Sequence, residues 1–200
     1  MKIESLMVPN PITISLHATV PKALELMKSN SIRHLPVVDS KNQFRGLLTL
    51  ADLKQALLPS MLSDLTLADL MIKDPITVSP DDDLEYAARL IYSHKVGGLP
   101  VIRQRILVGI ITETDILRAF IDMLGILGNS ARLDVVTGKD SGLNKAIQII
   151  HDHGGDIINI GLTAQHTGNR TYHFRLSRCN LAPIKEALEN ERFVVNNPAP

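Results

Sequence analysis

The sequence predicts a mixed α/β fold of α+β character. Two copies of one small unit pack as a pseudo-twofold pair, and a third unit follows in which strands and helices run in a different order. Three observations predict it. Ile32–Asp39, "IRHLPVVD", is answered by Val96–Arg103, "VGGLPVIR", so that Pro36 returns as Pro100, 64 residues on. Leu6-Met7 and Pro11–Ile14 return at the same spacing as Leu70-Met71 and Pro75–Val78, and Gly46–Asp52 returns as Gly109–Asp115, one residue out of phase. After Asn129 the repeat is lost and a strand-helix-strand-strand-helix-strand pattern begins. Two copies are too few for a solenoid, but a symmetric pair has paired clefts where the copies meet. Such clefts offer shared binding surfaces rather than one deep catalytic pocket.

Each copy reads strand, helix, strand, strand, helix. Ile12–Ser15 is extended after Pro11, and Thr19 is placed to cap a helix that tolerates Pro21 in its first turn. Val20, Ala23, Leu24 and Met27 form an apolar stripe on that helix. In the second copy Asp83 takes the capping position, and Leu84, Ala87, Ala88 and Ile91 form the stripe. Leu35–Val38 and Leu99–Ile102 read as short buried strands, followed by turns at Ser40–Gln43 and Gln104-Arg105. Gly46–Thr49 and Leu107–Thr112 read as closing strands that run directly into helices, the second starting near Asp115 and ending at Gly125 and Gly128. Pro59–Asp64 reads as the linker between copies.

Beyond Asn129, strands are expected at Arg132–Thr137, Ile157–Thr163, Thr171–Leu176 and Phe193–Val195, with helices at Leu143–Asp152 and Leu181–Glu189. That βαββαβ order is the ferredoxin-like pattern. The tail Asn196–Pro200 is expected to fray. The expected domains are 1–62, 63–128 and 131–197.

A chain of 200 residues with 44% hydrophobic content buries a real core. Lys+Arg and Asp+Glu balance at 21 each, which gives no electrostatic reason to expect nucleic acid or an anionic membrane as partner. A small basic phosphate pocket is compatible with that balance. The single cysteine, Cys179, rules out an intrachain disulfide framework and reads as a small core residue on a strand. Met1–Ser15 carries Glu4, Pro9, Asn10 and Pro11 in place of an apolar run, and no later apolar stretch is long enough to span a bilayer. A cytoplasmic protein is expected.

The repeated "LPVVD…GLLTLAD" and "LPVIR…GIITETD" closely resemble CBS domains, the paired modules of a Bateman unit, over roughly Met1–Ile126. The carboxy-terminal "SGLNKAIQIIHDHGGDIINIGL" resembles an ACT domain, except that Ser141-Gly142 stands where that family commonly has Pro-Gly, a departure that bears on amino-acid binding. A CBS pair followed by an ACT-like domain is similar to the acetoin-utilisation regulatory proteins of bacteria.

Thr49 with Asp52, and Thr112 with Asp115, stand where a strand hands over to a helix, so exposed N–H groups and the positive end of the helix dipole are available to a phosphate. A threonine hydroxyl adds a donor, and an aspartate three residues on accepts from both hydroxyls of a ribose. The same residue types also serve as an N-cap and a first-turn acid. Recurrence beside the Leu-Pro-Val element, and the resemblance to the CBS nucleotide motif, favour binding.

Pro36 and Pro100 offer rigid apolar surface to an adenine, although prolines at strand starts are ordinary. The resemblance implies that Thr13 and Thr77 present backbone groups to the base edge. The copies differ at one place: Arg33-His34 precedes the first Leu-Pro and Gly97-Gly98 the second. Arg33 forks onto phosphate oxygens and His34 adds a contact, whereas glycine permits close backbone approach. The two clefts are therefore expected to be unequal. Arg33 as a plain solvated charge is the competing reading.

Asp81–Asp83 reads as a capping cluster rather than a metal site, and His151 and His153 lack a third ligand at zinc spacing. No nucleophile-base-acid arrangement and no P-loop is found, so no enzyme is expected. Gly142 with Asn144, and Gly155 with Asp156, fall at the two loops that bind effectors in some ACT domains; the resemblance gives a dimer-forming role more weight.

The expected whole is a non-catalytic regulator. AMP, ADP or ATP is its ligand in the cleft between the paired copies, and a homodimer or second effector site is built by the ACT-like domain. A regulated enzyme is a possible partner. The competing reading is a scaffold with empty clefts, or an accessory protein in acetoin utilisation.

Overall fold

The computed structural model describes residues 1–56, 65–126, 128–137, 142–164 and 170–196. The expected linker at Pro59–Asp64, Ser141 and the last four residues of the tail lie outside them. The chain divides into two compact units, Met1–Leu117 and Arg118–Pro200.

In the first unit a single 3-10 turn, Ile3–Ser5, leads to β1 (Val8–Pro9), β2 (Ile14–Ser15), α1 (Val20–Ser29), β3 (His34–Val38), β4 (Phe44–Thr49) and α2 (Leu50–Ala56). The second copy supplies α3 (Leu67–Leu70), α4 (Leu84–His94), β5 (Gly98–Arg103), β6 (Ile106–Thr112) and α5 (Glu113–Met123), and the unit boundary falls within α5. That last helix starts two residues before Asp115, because Thr112 takes the position ahead of its first turn.

The copies match in backbone as well as in sequence. Ile14 pairs in parallel with Val37, and Val78 with Val101. Left-handed residues recur at Asn10 and Asp74 and again at Ser31 and Lys95. Thr19 caps α1 by accepting from the Lys22 N–H at 3.4 Å. Asp83 occupies the corresponding position on α4 without a capping bond, because its carboxylate pairs with Lys2 at 3.0 Å.

One feature departs from a simple tandem. The leader of each copy joins the sheet of the other. β1, from the first copy, runs antiparallel to β6 of the second, with Val8 opposite Ile110, while Ile72 of the second copy bridges Leu47 in β4. Met1–Glu4 also bonds to the second copy, through Ile3 N–H to the Asp82 carbonyl (2.9 Å) and Leu84 N–H to the Met1 carbonyl (2.9 Å). Leu67, which opens the second copy, is fully buried in the core of the first with Ile14, Met27, Leu35, Val37, Leu48 and Leu53. Residues 1–10 thus belong structurally to the second copy's sheet, although the sequence boundary at 62 assigns them to the first.

The exchanged leaders explain the repeated strand glycine. A Cβ on Gly46 would lie 2.8 Å from the Ile72 carbonyl oxygen, and one on Gly109 would meet Met7 Sδ. Gly46→Ala is expected to destabilise the unit by about 1–3 kcal/mol through this overlap, read as a lowered midpoint in urea unfolding with an unchanged slope.

In the second unit β7 (Ser130–Thr137), α6 (Leu143–Asp152), β8 (Ile157–Ala164), β9 (Arg170–Ser177), α7 (Leu181–Asn190) and β10 (Val194–Asn196) follow the expected βαββαβ order. The sheet is antiparallel in the order β10-β7-β9-β8, which leaves β8 at an edge. Its core gathers Leu133, Val135, Tyr172, Phe174 and Leu176 against Ala146 and Ile150 of α6 and Ile184 and Leu188 of α7. Cys179 sits between β9 and α7 rather than on a strand, packed at the margin of this core, and burial pushes its thiol pKa up.

Candidate functional site

Among the described residues of the first unit lie a cavity of about 770 Å³ and a related one of about 340 Å³. Each combines the strand-to-helix turn of one copy with the leader of the other, so the exchange of leaders is what builds them. The larger is walled by Thr49–Asp52 and Lys54 on one side and by Ile72, Asp74–Ile76 and His94–Gly98 on the other. The smaller sets Thr112, Thr114 and Asp115 against Val8, Pro11, Ile12 and Ser31–His34. Arg33 and His34 line both.

The paired threonines and aspartates first satisfy the chain itself. Thr49 Oγ1 donates to Asp52 Oδ2 at 2.5 Å, and the Thr49 N–H reaches the same oxygen at 3.3 Å. Thr112 repeats this toward Asp115 Oδ2, with the hydroxyl at 2.7 Å and the N–H at 2.9 Å. Each hydroxyl has one proton, and the carboxylate holds it, so neither threonine is a ready phosphate donor as the sequence reading supposes. Thr66 and Asp69 form the same pair at 2.6 Å while lining neither cavity, which shows that the arrangement is a helix-capping device in its own right. What remains for a ligand is the second carboxylate oxygen of Asp52 and of Asp115, which takes no hydrogen bond from the described residues.

Other expected residues fall elsewhere. Pro36 and Pro100 are buried in the middle of β3 and β5, opposite Leu47 and Ile110, and line neither cavity. The apolar wall comes instead from Pro75-Ile76 and Ile72 in the larger cavity and from Pro11-Ile12 in the smaller. Thr13 and Thr77 follow these pairs in sequence and are not themselves in the walls.

Gly98 lines the larger cavity, but the close approach it permits is from the protein: the His34 ring lies against Gly97 and Gly98, and a Cβ on Gly97 would be 2.9 Å from His34 Nε2. The histidine of one copy therefore explains Gly97 of the other, while a Cβ on Gly98 would make only ordinary contact with the ring, at 3.4 Å. Gly142 and Gly155 likewise have packing reasons, since a Cβ would strike Thr137 and Phe193 at the first and Ile150 at the second. Gly142 and Asn144 stand at the start of α6, and Gly155 and Asp156 follow its end. A ten-residue helix separates these groups by roughly 15 Å.

Several cavity residues escape a sequence reading. Lys54, Asp74, His94, Lys95 and Glu113 join Arg33 and Asp52 around the larger cavity, three cations facing three carboxylates. Arg33, Lys54 and Lys95 make no ion pair among the described residues. The basic pair His94-Lys95 immediately before "VGG" is the one signal that would have found part of this set. Among the described residues no group of His, Cys, Asp and Glu is arranged to hold a metal ion, and no helix is long and apolar enough to cross a membrane.

Burial holds the His34 pKa below its ordinary value, Arg33 acts in the same direction, and Glu113 opposes them. The unfolded chain protonates first as pH falls, so the His34 contribution to stability is complete above about pH 6.5 and is lost below it. The melting temperature of the protein is expected to fall more steeply between about pH 7.5 and 5.5 than that of His34→Gln; equal slopes would contradict this.

The CBS domain model matches residues 3–59 and 67–122. A homoserine O-acetyltransferase of Methanocorpusculum labreanum is 35% identical over 102 residues, which are 51% of this chain and 20% of the relative, so the chain spans only a small part of that enzyme. Among solved structures, a Vibrio cholerae protein assigned to acetoin utilization matches at TM-score 0.57 and 34% identity, over 63% of this chain and 94% of its own. CBSX2 of Arabidopsis thaliana, solved with AMP, matches at 0.55 and 29%, over 60% and 96%. The CBS domain pair of protein MJ0100, solved with 5-methylthioadenosine and S-adenosyl-L-methionine, matches at 0.56 and 27%, over 60% and 95%.

Proposed function

Because the chain belongs to the CBS domain family, with two copies of the domain in tandem, we propose that it is a non-catalytic regulator whose larger interdomain cleft binds an adenine nucleotide, AMP, ADP or ATP. The observation that carries the proposal is the wall of that cleft. The outer oxygen of Asp52 accepts from a ribose, Ile72 and Pro75-Ile76 flank the base, and Arg33, Lys54 and Lys95, which have no partners among the described residues, meet the phosphates. That the AMP-bound CBSX2 shares this fold supports the same ligand chemistry here.

The smaller cleft, with Arg33 and Asp115 as its charged groups, takes a nucleotide more weakly. Binding draws the two copies' facing elements together, and a partner enzyme reads the resulting shift in population. The carboxy-terminal unit, whose βαββαβ order suits an ACT-like domain, serves as a homodimer contact through its β8 edge, where Ile158 and Leu162 are exposed.

A thermal-melt screen tests the proposal. A ligand at about 100 times its Kd raises stability by roughly 2.7 kcal/mol, so AMP, ADP or ATP is expected to raise the melting temperature. A panel of these nucleotides, S-adenosyl-L-methionine and amino acids that gives no shift would favour a scaffold. One observation supports that second reading: Asp52 and Asp115 are already engaged as capping residues, as Asp69 is.

A further inference from the structure

The open face of the carboxy-terminal sheet carries an unbalanced charge. Arg132 on β7 stands directly opposite Arg175 on β9, and Arg175 stands opposite Asn159 on β8, so two arginines and an asparagine occupy one row across the sheet. Like charges in directly opposed positions repel. The next row holds a carboxylate, Asp134, and it is fully engaged: Arg132 grips it through Nε at 2.9 Å and a terminal nitrogen at 2.8 Å, and His173 Nδ1 approaches at 2.8 Å. Thr163 Oγ1, 3.0 Å from His173 Nε2, fixes the ring from the other side. Burial alone would raise the Asp134 pKa, but these bonds outweigh it and hold the carboxyl below its usual range.

Arg175 is left over. It is half-buried and its side chain has no hydrogen bond or ion pair among the described residues, and neither does the Asn159 side chain. Both line a cavity of about 220 Å³, closed on another side by Leu124 and Ile126. A guanidinium partly out of water, with no acid among the described residues to pair with it, calls for an anion from outside.

We propose that this cavity binds a short-chain monocarboxylate of roughly three to six carbons, its carboxylate on the Arg175 fork and Asn159 and its hydrocarbon tail on Leu124 and Ile126. The small volume and apolar wall favour a monoanion, which is less costly to desolvate than a phosphate dianion. The carboxylate of Asp134 is already taken by Arg132 and His173 and does not line the cavity, so an α-ammonium finds no acid among the lining residues and a simple acid binds better than the corresponding amino acid. This site is separate from the two nucleotide clefts and from Gly142, Asn144, Gly155 and Asp156, and it does not depend on nucleotide binding.

The test is amide NMR of the full chain titrated with isobutyrate, valine and inorganic phosphate. Isobutyrate is expected to give saturable shifts at Leu124, Asn159 and Arg175, with valine and phosphate binding at least about tenfold more weakly. Arg175→Met keeps the aliphatic stem, is expected to leave the unliganded melting temperature unchanged, and weakens isobutyrate binding about tenfold or more. Should that variant not fold, Asn159→Ala serves in its place with a loss in the same direction. Absence of saturation by isobutyrate, undiminished binding by the folded variants, or a preference for phosphate or valine would overturn the proposal.

Discussion

Leu67→Ala is expected to destabilise the amino-terminal unit by about 2–5 kcal/mol, the range for truncating a fully buried leucine. By sequence Leu67 opens the second copy, yet it is completely buried with Ile14, Met27, Leu35, Leu48 and Leu53 of the first. Its counterpart Ile3 is also completely buried, in the turn whose backbone bonds to Asp82. A single truncation in one copy therefore opens a cavity in the other, and urea unfolding should show one transition at lower denaturant. Leu65→Ala is the control, because Leu65 is exposed and its loss should lie within about 0.5 kcal/mol of wild type. Equal effects for the two variants would mean that the leaders are not exchanged.

Asp52→Ala is expected to weaken nucleotide binding about tenfold or more, since a hydrogen bond to a charged group contributes about 1.5–3 kcal/mol. The same change also removes a helix cap, so a loss of binding taken alone would be ambiguous. Asp69 separates the two effects: it makes the same bonds to Thr66 but lies outside both cavities. Calorimetry should show Asp69→Ala binding nucleotide like the wild type, Asp115→Ala losing only a weaker second event, and Asp52→Ala losing the main one. Equal binding by all three would remove Asp52 from the site.

Much of the fold is legible in the sequence because the signals are local. The apolar stripe and glycine corner place α6 at Leu143–Asp152, as observed, and duplicated strands and turns identify the paired copies. The exchanged leaders are not legible for a definite reason: a repeat shows that two segments are alike, and swapping like segments leaves the pattern unchanged. Only pairings such as Val8 with Ile110 and Ile72 with Leu47 reveal it.

The site was legible in part. Thr49, Asp52, Thr112, Asp115, Arg33, His34 and Gly98 do line the clefts. Pro36 and Pro100 do not, because a proline within a buried strand packs into the sheet when its neighbouring strand tolerates the missing N–H. The meaning of Gly97 is also hidden, since the side chain that needs its space, His34, is more than sixty residues away in sequence. Arg175, without an ion pair among the described residues, emerges only once strand order sets it opposite Arg132.

Whether the larger cleft is a nucleotide site is decided by a crystal structure grown with AMP and, in parallel, with ATP. The predicted result is a nucleotide between Thr49–Asp52 and Ile72–Ile76, its ribose on the outer oxygen of Asp52 and its phosphates toward Arg33, Lys54 or Lys95, with the larger cleft filled before the smaller. Nucleotide bound away from Asp52, or both clefts empty at saturating concentration, would contradict it.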